Sequence, residues 1–361
     1  MTAPTGVLIS NLGTPEGPTP EQVSPYLKEF LLDPYVIDVP IWIRWPLVNW
    51  IIVPRRKFAS SDLYKRIWTP AGSPLLVHTK ALAAKMADVL KPEGFHVEMG
   101  MRYGRPSLRE AMMNLKQAKV QDLIVTPQYP QYALSSYEST RQRVLEIARE
   151  LRWAGRVVFV RPFFDAEEFL IPSAEIIRRH YDPSKHEHIL MSFHGLPEGH
   201  VKKTESQKGH CLSAKTCCDV LGAPNANCYR AQSFWTAREL ARRLGLASRD
   251  YSVGFQSRLT RRWIRPFSDE RLIELAKSGV KRLAVVCPSF TADCLETVEE
   301  VGIRYNEIFR EAGGETVDLI PCLNSDELWV EGLSKLIRQA QTKELPGPRT
   351  SEAVSAFEKS T

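Results

Sequence analysis

Short apolar runs alternate with amphipathic segments along most of the chain. The runs at residues 7–9 and 189–191 are brief and lead into turns rich in glycine and proline. The stretches 73–90 and 233–246 instead space their apolar residues as one face of a helix does. Short buried strands that alternate with helices are typical of parallel sheets built from βαβ units. The pattern therefore predicts an α/β fold.

The pattern occurs twice. "SNLGTPEG" (10–17) is repeated as "SFHGLPEG" (192–199), with His194 where the first copy has Leu12. Two further segments recur in the same order: "VEMGMRY" (97–103) as "YSVGFQS" (251–257), and "LKQAKVQDLIVTPQYP" (115–130) as "LAKSGVKRLAVVCPSF" (275–290). Three pairs in one order predict two similar lobes, each a parallel sheet with helices on both faces.

The lobe boundary is expected near 165–185. We assign residues 1–170 to the first lobe and 171–340 to the second, with a polar C-terminal tail at 341–361. Ligands of open parallel sheets bind beyond the carboxyl ends of the strands. The sequence therefore predicts an active site in the cleft between the lobes.

Composition limits the class of protein. The 361 residues are 43% hydrophobic and 25% charged, which suits a soluble globular protein. The net charge of +6 is spread along the chain, so we expect no nucleic-acid partner. The N-terminus lacks a basic region followed by a long apolar segment, so we expect no secretory signal and a cytoplasmic location.

One segment resembles a membrane contact. "YVIDVPIWIRWPLVNWIIVPRR" (35–56) holds Trp42, Trp45 and Trp50, but prolines and charges interrupt it too often for a spanning helix. It is either a buried helical hairpin or an exposed apolar lip for a flat ligand or a membrane surface. If the lip is exposed, we expect a cytoplasmic protein that also makes peripheral contact with the inner face of the membrane.

Candidate chemistry begins with His194. It directly follows a predicted strand, where an imidazole can accept a proton or bind a metal. Glu296 and Glu300 lie four residues apart on a predicted helix, so both carboxylates share a face and suit proton or cation transfer. The structural alternative is a helix cap formed by Asp293 with Glu296, and an exposed ion pair between Glu300 and Arg304.

Further candidates lie in the first lobe. Arg102 and Tyr103 end a predicted strand and are expected to meet an anionic group of the substrate. The loop 126–140 contains Tyr129 and Ser135 among other aromatic and hydroxyl side chains, which suits a flat conjugated ligand or ordinary turn packing.

Four of the seven cysteines crowd into one polar loop. Cys211, Cys217, Cys218 and Cys228 are spaced Cys-x5-Cys-Cys-x9-Cys. This spacing matches neither common zinc ribbons nor familiar ferredoxins. Four thiolates favour a [2Fe–2S] cluster or a tetrahedral Zn²⁺, and spacing alone leaves both open.

The quoted motifs, together with "FLLDPYVIDVP", "MRYGRP", "TPQYPQYALSS", "GFQSR" and "PSFTADCLETVEE", resemble the ferrochelatase family, whose members insert Fe²⁺ into a porphyrin in haem synthesis. The resemblance covers about residues 5 to 335. It implies two Rossmann-like lobes around protoporphyrin IX, with His194 and Glu296 facing each other across the ring and also contacting the iron. Glu300 lies behind them in this view.

The resemblance also implies further roles. Arg102, Tyr103 and Phe255 match pocket positions, although some members have Trp in place of Phe255. Cys294 stands where the family often has His, and Arg304 replaces a third acidic residue of the helix. An internal cysteine insertion occurs in certain microbial members with a [2Fe–2S] cluster, which favours the cluster here. Alternative functions are coproporphyrin III metallation, cobalt or other tetrapyrrole chelation, a porphyrin or haem carrier, or an iron–sulfur sensor. The chain is expected to be a monomer or a homodimer.

Overall fold

The computed structural model describes residues 4–342, so most of the predicted tail lies outside the described residues. The strands in this range are β1 (Thr5–Thr14), β2 (Phe95–Gly104), β3 (Leu123–Pro127), β4 (Val157–Phe159), β5 (His188–His194), β6 (Tyr251–Gln256), β7 (Arg282–Val286) and β8 (Thr316–Leu319).

The α-helices of the same range surround the strands. They are α1 (Pro20–Leu31), α2 (Ile41–Pro46), α3 (Val53–Ile67), α4 (Pro74–Leu90), α5 (Leu108–Gln117), α6 (Ser139–Glu150), α7 (Glu167–His180), α8 (Glu198–Lys202), α9 (Tyr229–Leu244), α10 (Ser268–Lys277), α11 (Asn306–Glu311) and α12 (Glu327–Thr342). Three π-helices span Leu47–Ile52, Leu134–Glu138 and Leu295–Tyr305, and 3-10 turns span Lys91–Glu93 and Ala223–Asn225.

The strands form two sheets of four, and every pairing is parallel. The first sheet has the order β2-β1-β3-β4, and the second has the corresponding order β6-β5-β7-β8. Identical strand order in the two halves confirms the prediction of two similar α/β lobes. β1 and β5, which lead into the duplicated turns, are interior strands of their sheets.

The same backbone contact recurs in both lobes. A Cβ atom at Gly100 of β2 would lie 2.9 Å from Cα of Leu108, and one at Gly254 of β6 would lie 2.9 Å from Cα of Ser268. Real Cβ atoms do not approach other atoms this closely. Glycine at these two strand positions therefore lets the following helix, α5 or α10, pack directly on its strand.

The core does not divide cleanly at the predicted boundary. One hydrophobic cluster includes Ile9 of the first sheet, Ile189 of the second and Trp329 of α12. α12 follows the second sheet in sequence but packs on α4 of the first lobe and on the linking helix α7. Arg338 of α12 also pairs with Glu93, with nitrogen and oxygen 2.6 Å apart. The C-terminal helix thus covers the first lobe, and the division at residue 170 stays a prediction.

The tryptophan-rich segment is exposed. α2, the π-helix Leu47–Ile52 and the start of α3 project Trp42 and Trp50 outward, with exposed fractions of 73% and 69%. Arg44 is buried and donates to the carbonyls of Ile37 and Val39, which fixes the base of the segment. The buried-hairpin alternative is wrong, since the apolar side chains face outward. Within residues 4–342, no helix is long and apolar enough to cross a membrane.

Candidate active site

A cavity of about 400 Å³ lies between the two lobes. That volume is in the range of small-molecule sites. Residues at the carboxyl ends of strands from both sheets line it: Asn11, Leu12, Gly13, Thr14, Gln128, Tyr129, His194, Ser257, Ser289 and Phe290. The cavity lies beyond the strand ends and between the lobes, which is the position predicted for the ligand site.

Leu12 and His194 occupy matching positions in the duplicated turns, and both line this cavity. The strand pairing places His194 opposite Gln256 at the end of β5, while Leu12 lies near the end of β1. The first copy of the turn therefore contributes an apolar wall, and the second contributes an imidazole.

The imidazole of His194 is fixed by its own turn. Its Nδ1 lies 2.6 Å from the carbonyl oxygen of Gly195. A carbonyl can only accept, so Nδ1 carries the proton and the Nε2 lone pair is available in the neutral ring. The backbone nitrogen of His194 donates to Oγ of Ser289 at 3.0 Å, which ties the end of β5 to the turn after β7.

Glu296 enters the cavity at the start of the π-helix Leu295–Tyr305. Nε2 of Gln256 donates to the backbone carbonyl of Glu296 at 2.9 Å. Burial raises the pKa values of Tyr26 and Tyr64, and the negative charge of Glu296 raises them further. The carboxylate therefore lies near these two side chains of the first lobe. π-helical turns frequently occur at functional sites.

Glu300 lies on the same π-helix but is buried behind the cavity. The backbone nitrogen and Oγ of Ser257 donate to its two carboxylate oxygens at 2.9 and 2.5 Å. Burial raises the pKa of Glu300 above its usual value, and the bonds from Ser257 and the charges of Arg304 and His194 oppose that rise. The alternative is therefore correct about the Glu300–Arg304 pair, whose nitrogen and oxygen lie 3.8 Å apart, and wrong about its exposure, since Glu300 is buried.

The predicted cap of the helix also differs. Oδ1 of Asp293 accepts from Oγ1 of Thr297 at 3.0 Å, and its Oδ2 accepts from Nδ2 of Asn324 at 2.7 Å. Asp293 thus anchors the helix start to the turn after β8 and leaves the Glu296 carboxylate free of that role. The thiol of Cys294 makes a hydrogen bond to Glu296, and its pKa is raised by burial and by that carboxylate.

Arg102 and Tyr103 do not line the cavity. Both side chains turn to the buried carboxylate of Asp33: Arg102 forms an ion pair with Oδ2, and the Tyr103 hydroxyl donates to the same oxygen at 2.7 Å. Oγ of Ser139 donates there as well, at 2.5 Å. Arg102 and Tyr103 thus hold the chain shortly after α1, just before the lip segment.

Two of the other three predicted pocket residues line the cavity, and the third does not. Tyr129 and Ser135 line the cavity. Phe255 is fully buried and packs on Phe193 and Phe234, with ring centroids 6.2 and 6.0 Å apart. It is a core residue at the β5–β6 face and does not border the cavity.

The four loop cysteines are close together but away from the cavity. Sγ of Cys217 lies 3.6 Å from Sγ of Cys218, Cys218 contacts Cys228, and Cys228 contacts Cys211. The guanidinium of Arg230 donates to Sγ of Cys218 at 3.0 Å. Within residues 4–342, no three His, Cys, Asp or Glu side chains are arranged to hold a single metal ion.

Several cavity residues were not anticipated from the sequence. Ser257, Tyr229 and His200 line the cavity, as does Arg56 on α3. The repeat offered a signal for Ser257, because it ends the segment paired with "VEMGMRY". His200 closes the turn that begins with His194, but nothing in the local pattern distinguishes a cavity histidine from a surface one.

The fold is shared with a chelatase. The crystal structure of the sirohydrochlorin chelatase SirB from Bacillus subtilis subspecies spizizenii in complex with cobalt superposes with a TM-score of 0.50 at 9% identity, over 94% of this chain and 97% of that one. At that identity the likeness establishes the fold alone. The two lobes and the cleft define a two-lobed α/β protein with the fold of that structure.

Sequence comparison identifies the family. The model of the family Ferrochelatase matches residues 4–341. Ferrochelatases of Coxiella burnetii (strain CbuK_Q154) and Bdellovibrio bacteriovorus are each 42% identical, over 93% and 92% of this chain and 93% and 98% of their own. The chain belongs to the ferrochelatase family. It is therefore an enzyme, a metal chelatase that inserts iron into a porphyrin in haem biosynthesis.

Proposed function

We propose that this enzyme inserts Fe²⁺ into protoporphyrin IX in the interlobe cavity, with His194 and Glu296 on opposite sides of the macrocycle. The observation that carries the proposal is that the fixed imidazole of His194 and the carboxylate of Glu296 line the same cavity, supplied by different strand ends. The apolar walls, with few basic side chains, favour a porphyrin with two carboxylates over coproporphyrin III with four.

Metal insertion releases two protons from the pyrrole nitrogens. The Nε2 lone pair of His194 can accept one of them or contact the iron, because Nδ1 is committed to the Gly195 carbonyl. Glu296 offsets the positive charge of the incoming ion. Glu300, four residues along the same helix, is placed to take a proton from this site and pass it outward beside Arg304.

Point variants test these roles. His194→Ala should abolish iron insertion at saturating Fe²⁺ while porphyrin fluorescence titration still reports binding. Glu296→Gln should lower kcat by about a hundredfold or more, because an amide neither offsets the charge of the cation nor accepts a proton, and groups that do so contribute roughly 10²–10⁴-fold. Glu300→Gln should be milder. Near-normal kcat in His194→Ala would remove the imidazole from the mechanism, and tight binding without turnover in the wild type would favour a carrier.

We further propose that the loop thiols of Cys211, Cys217, Cys218 and Cys228 hold a [2Fe–2S] cluster. The contacts run as a chain, 217 to 218 to 228 to 211, which suits two irons with two thiolates each better than four thiolates around one Zn²⁺. The hydrogen bond with Cys228 and burial raise the pKa of Cys218, and the positive charge of Arg230 beside its sulfur opposes that rise. A bound cluster would supply reversible one-electron chemistry and a covalent tie across the loop.

The polypeptide around the thiols is already organised. Nδ2 of Asn225 donates to the carbonyls of Cys217 and Val220, both at 2.9 Å. The carboxylate of Glu205 accepts from the backbone nitrogen of Cys211 at 2.8 Å. Cys228 directly precedes α9 and caps it, so ligation there would anchor a long helix of the second lobe.

We also propose a cytoplasmic enzyme that touches the membrane through its lip. The exposed Trp42 and Trp50 are followed in sequence by the basic run Arg55, Arg56 and Lys57, a combination that suits an anionic lipid surface. An apolar porphyrin could then enter the cavity from the bilayer surface, since Ile52 and Arg56 of the lip region line the cavity.

A further inference from the structure

A second imidazole lines the cavity, that of His200 on α8. Its Nδ1 is buried and has no hydrogen-bond partner within the described part of the chain. Buried polar atoms are nearly always paired, because leaving one unpaired costs free energy. His200 therefore lines the substrate cavity with unused hydrogen-bonding capacity in its ring, which a bound ligand is able to take up.

The surroundings of His200 favour its neutral form. Burial lowers its pKa below the usual value, with Lys203 acting in the same direction and Asp38 opposing. Asp38 and Lys203 form an ion pair with each other, which joins the lip segment to the end of α8. The charge of Asp38 is thus already matched, and an anion from the cavity side would be a new partner for His200.

The other basic groups of the cavity leave a place for His200, because Arg56 can pair with only one carboxylate of a porphyrin at a time. The basic side chains among the residues that line it are Arg56, His194 and His200. His194 has its Nδ1 on the Gly195 carbonyl and is assigned above to the metal. A porphyrin of haem synthesis carries carboxylate side chains, and the cavity offers them hydroxyl and amide donors but few basic ones. His200 is a donor with no competing bond to break.

We propose that His200 binds a carboxylate of the porphyrin through a ring N–H and so contributes to the affinity for the substrate. This proposal rests on the proposed function, because it takes a carboxylated porphyrin as the substrate. It concerns substrate binding and assigns His200 no step in proton or metal transfer.

The test compares binding of a porphyrin with free carboxylates and of its methyl ester, in the absence of metal. Free-base protoporphyrin IX and its dimethyl ester are titrated by fluorescence into the wild type, His200→Leu and His200→Gln. Leu keeps the side-chain volume but has no donor, and Gln keeps a donor. His96→Leu, at an exposed imidazole of β2 outside the cavity, is the control.

We expect His200→Leu to weaken binding of the diacid by roughly tenfold and of the diester by less than twofold, as a lost charge-assisted hydrogen bond would. His200→Gln should recover part of the difference. Equal losses for diacid and diester would overturn the proposal in favour of simple packing, and so would unchanged diacid binding in His200→Leu.

Steady-state kinetics separates this inference from the proposed function. At saturating porphyrin and Fe²⁺, His200→Leu should keep kcat within about twofold of the wild type while KM for the diacid rises in parallel with the binding loss. A wild type that binds diacid but inserts no iron would contradict the proposed function and leave the metal-free comparison of diacid with diester intact. A fall in kcat with unchanged KM would contradict the binding role of His200.

Discussion

Ser257 donates both its backbone N–H and its hydroxyl to the carboxylate of Glu300, at 2.9 and 2.5 Å. Ser257 directly follows β6 and adopts φ of 63°, a left-handed conformation that is uncommon for a residue other than glycine. That conformation brings the N–H and the hydroxyl to the same carboxylate. The end of a second-lobe strand is thereby tied to the π-helix that carries Glu296 and Glu300.

The first prediction follows from these two bonds. Ser257→Ala removes the hydroxyl bond to the ionised carboxylate, so the already raised pKa of Glu300 should rise further. If kcat requires ionised Glu300, the acid limb of its pH profile should move to higher pH, by roughly one unit. The measurement is kcat against pH. Ser257→Gly also lacks the hydroxyl, but glycine adopts the left-handed backbone conformation without strain. An equal shift of the acid limb in both variants would therefore assign the effect to the lost hydroxyl bond to Glu300. An unmoved acid limb in both variants would exclude Glu300 from the rate-limiting proton step.

The second prediction concerns stability across the lobes. Glu299 is fully buried between Arg66 of α3, at 2.8 Å, and Arg304, at 3.0 Å. Arg66→Ala leaves this buried carboxylate with one of its two cations. We expect the free energy of unfolding to fall by about 1–3 kcal/mol, less than for a pair that is wholly lost. Denaturant unfolding measures it.

Lys65→Ala is the matched control for that change. Lys65 is the neighbouring residue and makes only an exposed pair with Asp62. Its removal should cost less than about 0.5 kcal/mol, because exposed ion pairs contribute little. Similar losses for the two variants would mean that the bridge to Glu299 adds no stability beyond that of a surface pair.

The third prediction tests the cysteine loop. Protein purified without oxygen should carry visible absorption, with about two irons and two acid-labile sulfides per chain. Cys217→Ser should lose both, whereas Cys322→Ala, at a buried cysteine outside the loop, should keep them. Stoichiometric zinc without visible absorption would replace the cluster with a mononuclear site.

The fourth prediction tests the lip. The double variant Trp42→Ser/Trp50→Ser should bind anionic vesicles at least tenfold more weakly in co-sedimentation, since each buried large apolar side chain contributes roughly 1.5–3 kcal/mol. Its kcat with porphyrin in detergent should stay within about twofold. Ile171→Ser, at an exposed apolar residue of α7, is the control and should bind vesicles normally. Unchanged vesicle binding in the double variant would locate any membrane contact elsewhere.

Much of the architecture was readable in the linear sequence. Strands and helices alternate with their own periodicities, and the three repeated segments fixed two lobes of equal strand order. The position of His194 at a strand end followed from the same pattern, because the end of an apolar run marks the carboxyl end of a parallel strand. These features depend on residues close together in the chain. The helical spacing made Glu296 a candidate, the resemblance in motifs placed it across the ring from His194, and the structure places both in one cavity.

Other features depended on contacts between residues distant in sequence. Arg102 and Tyr103 end β2 as predicted, but their partner is Asp33, about seventy positions earlier. The resemblance assigned Phe255 to the pocket, whereas the structure packs it in the core. The pattern of a strand indicates which side chains are buried and does not distinguish a core neighbour from a cavity. Tertiary packing likewise decided the burial of Glu300, the crossing of α12 to the first lobe and the unpaired Nδ1 of His200. Each depends on which groups, distant in sequence, the folded chain brings within hydrogen-bonding or van der Waals distance.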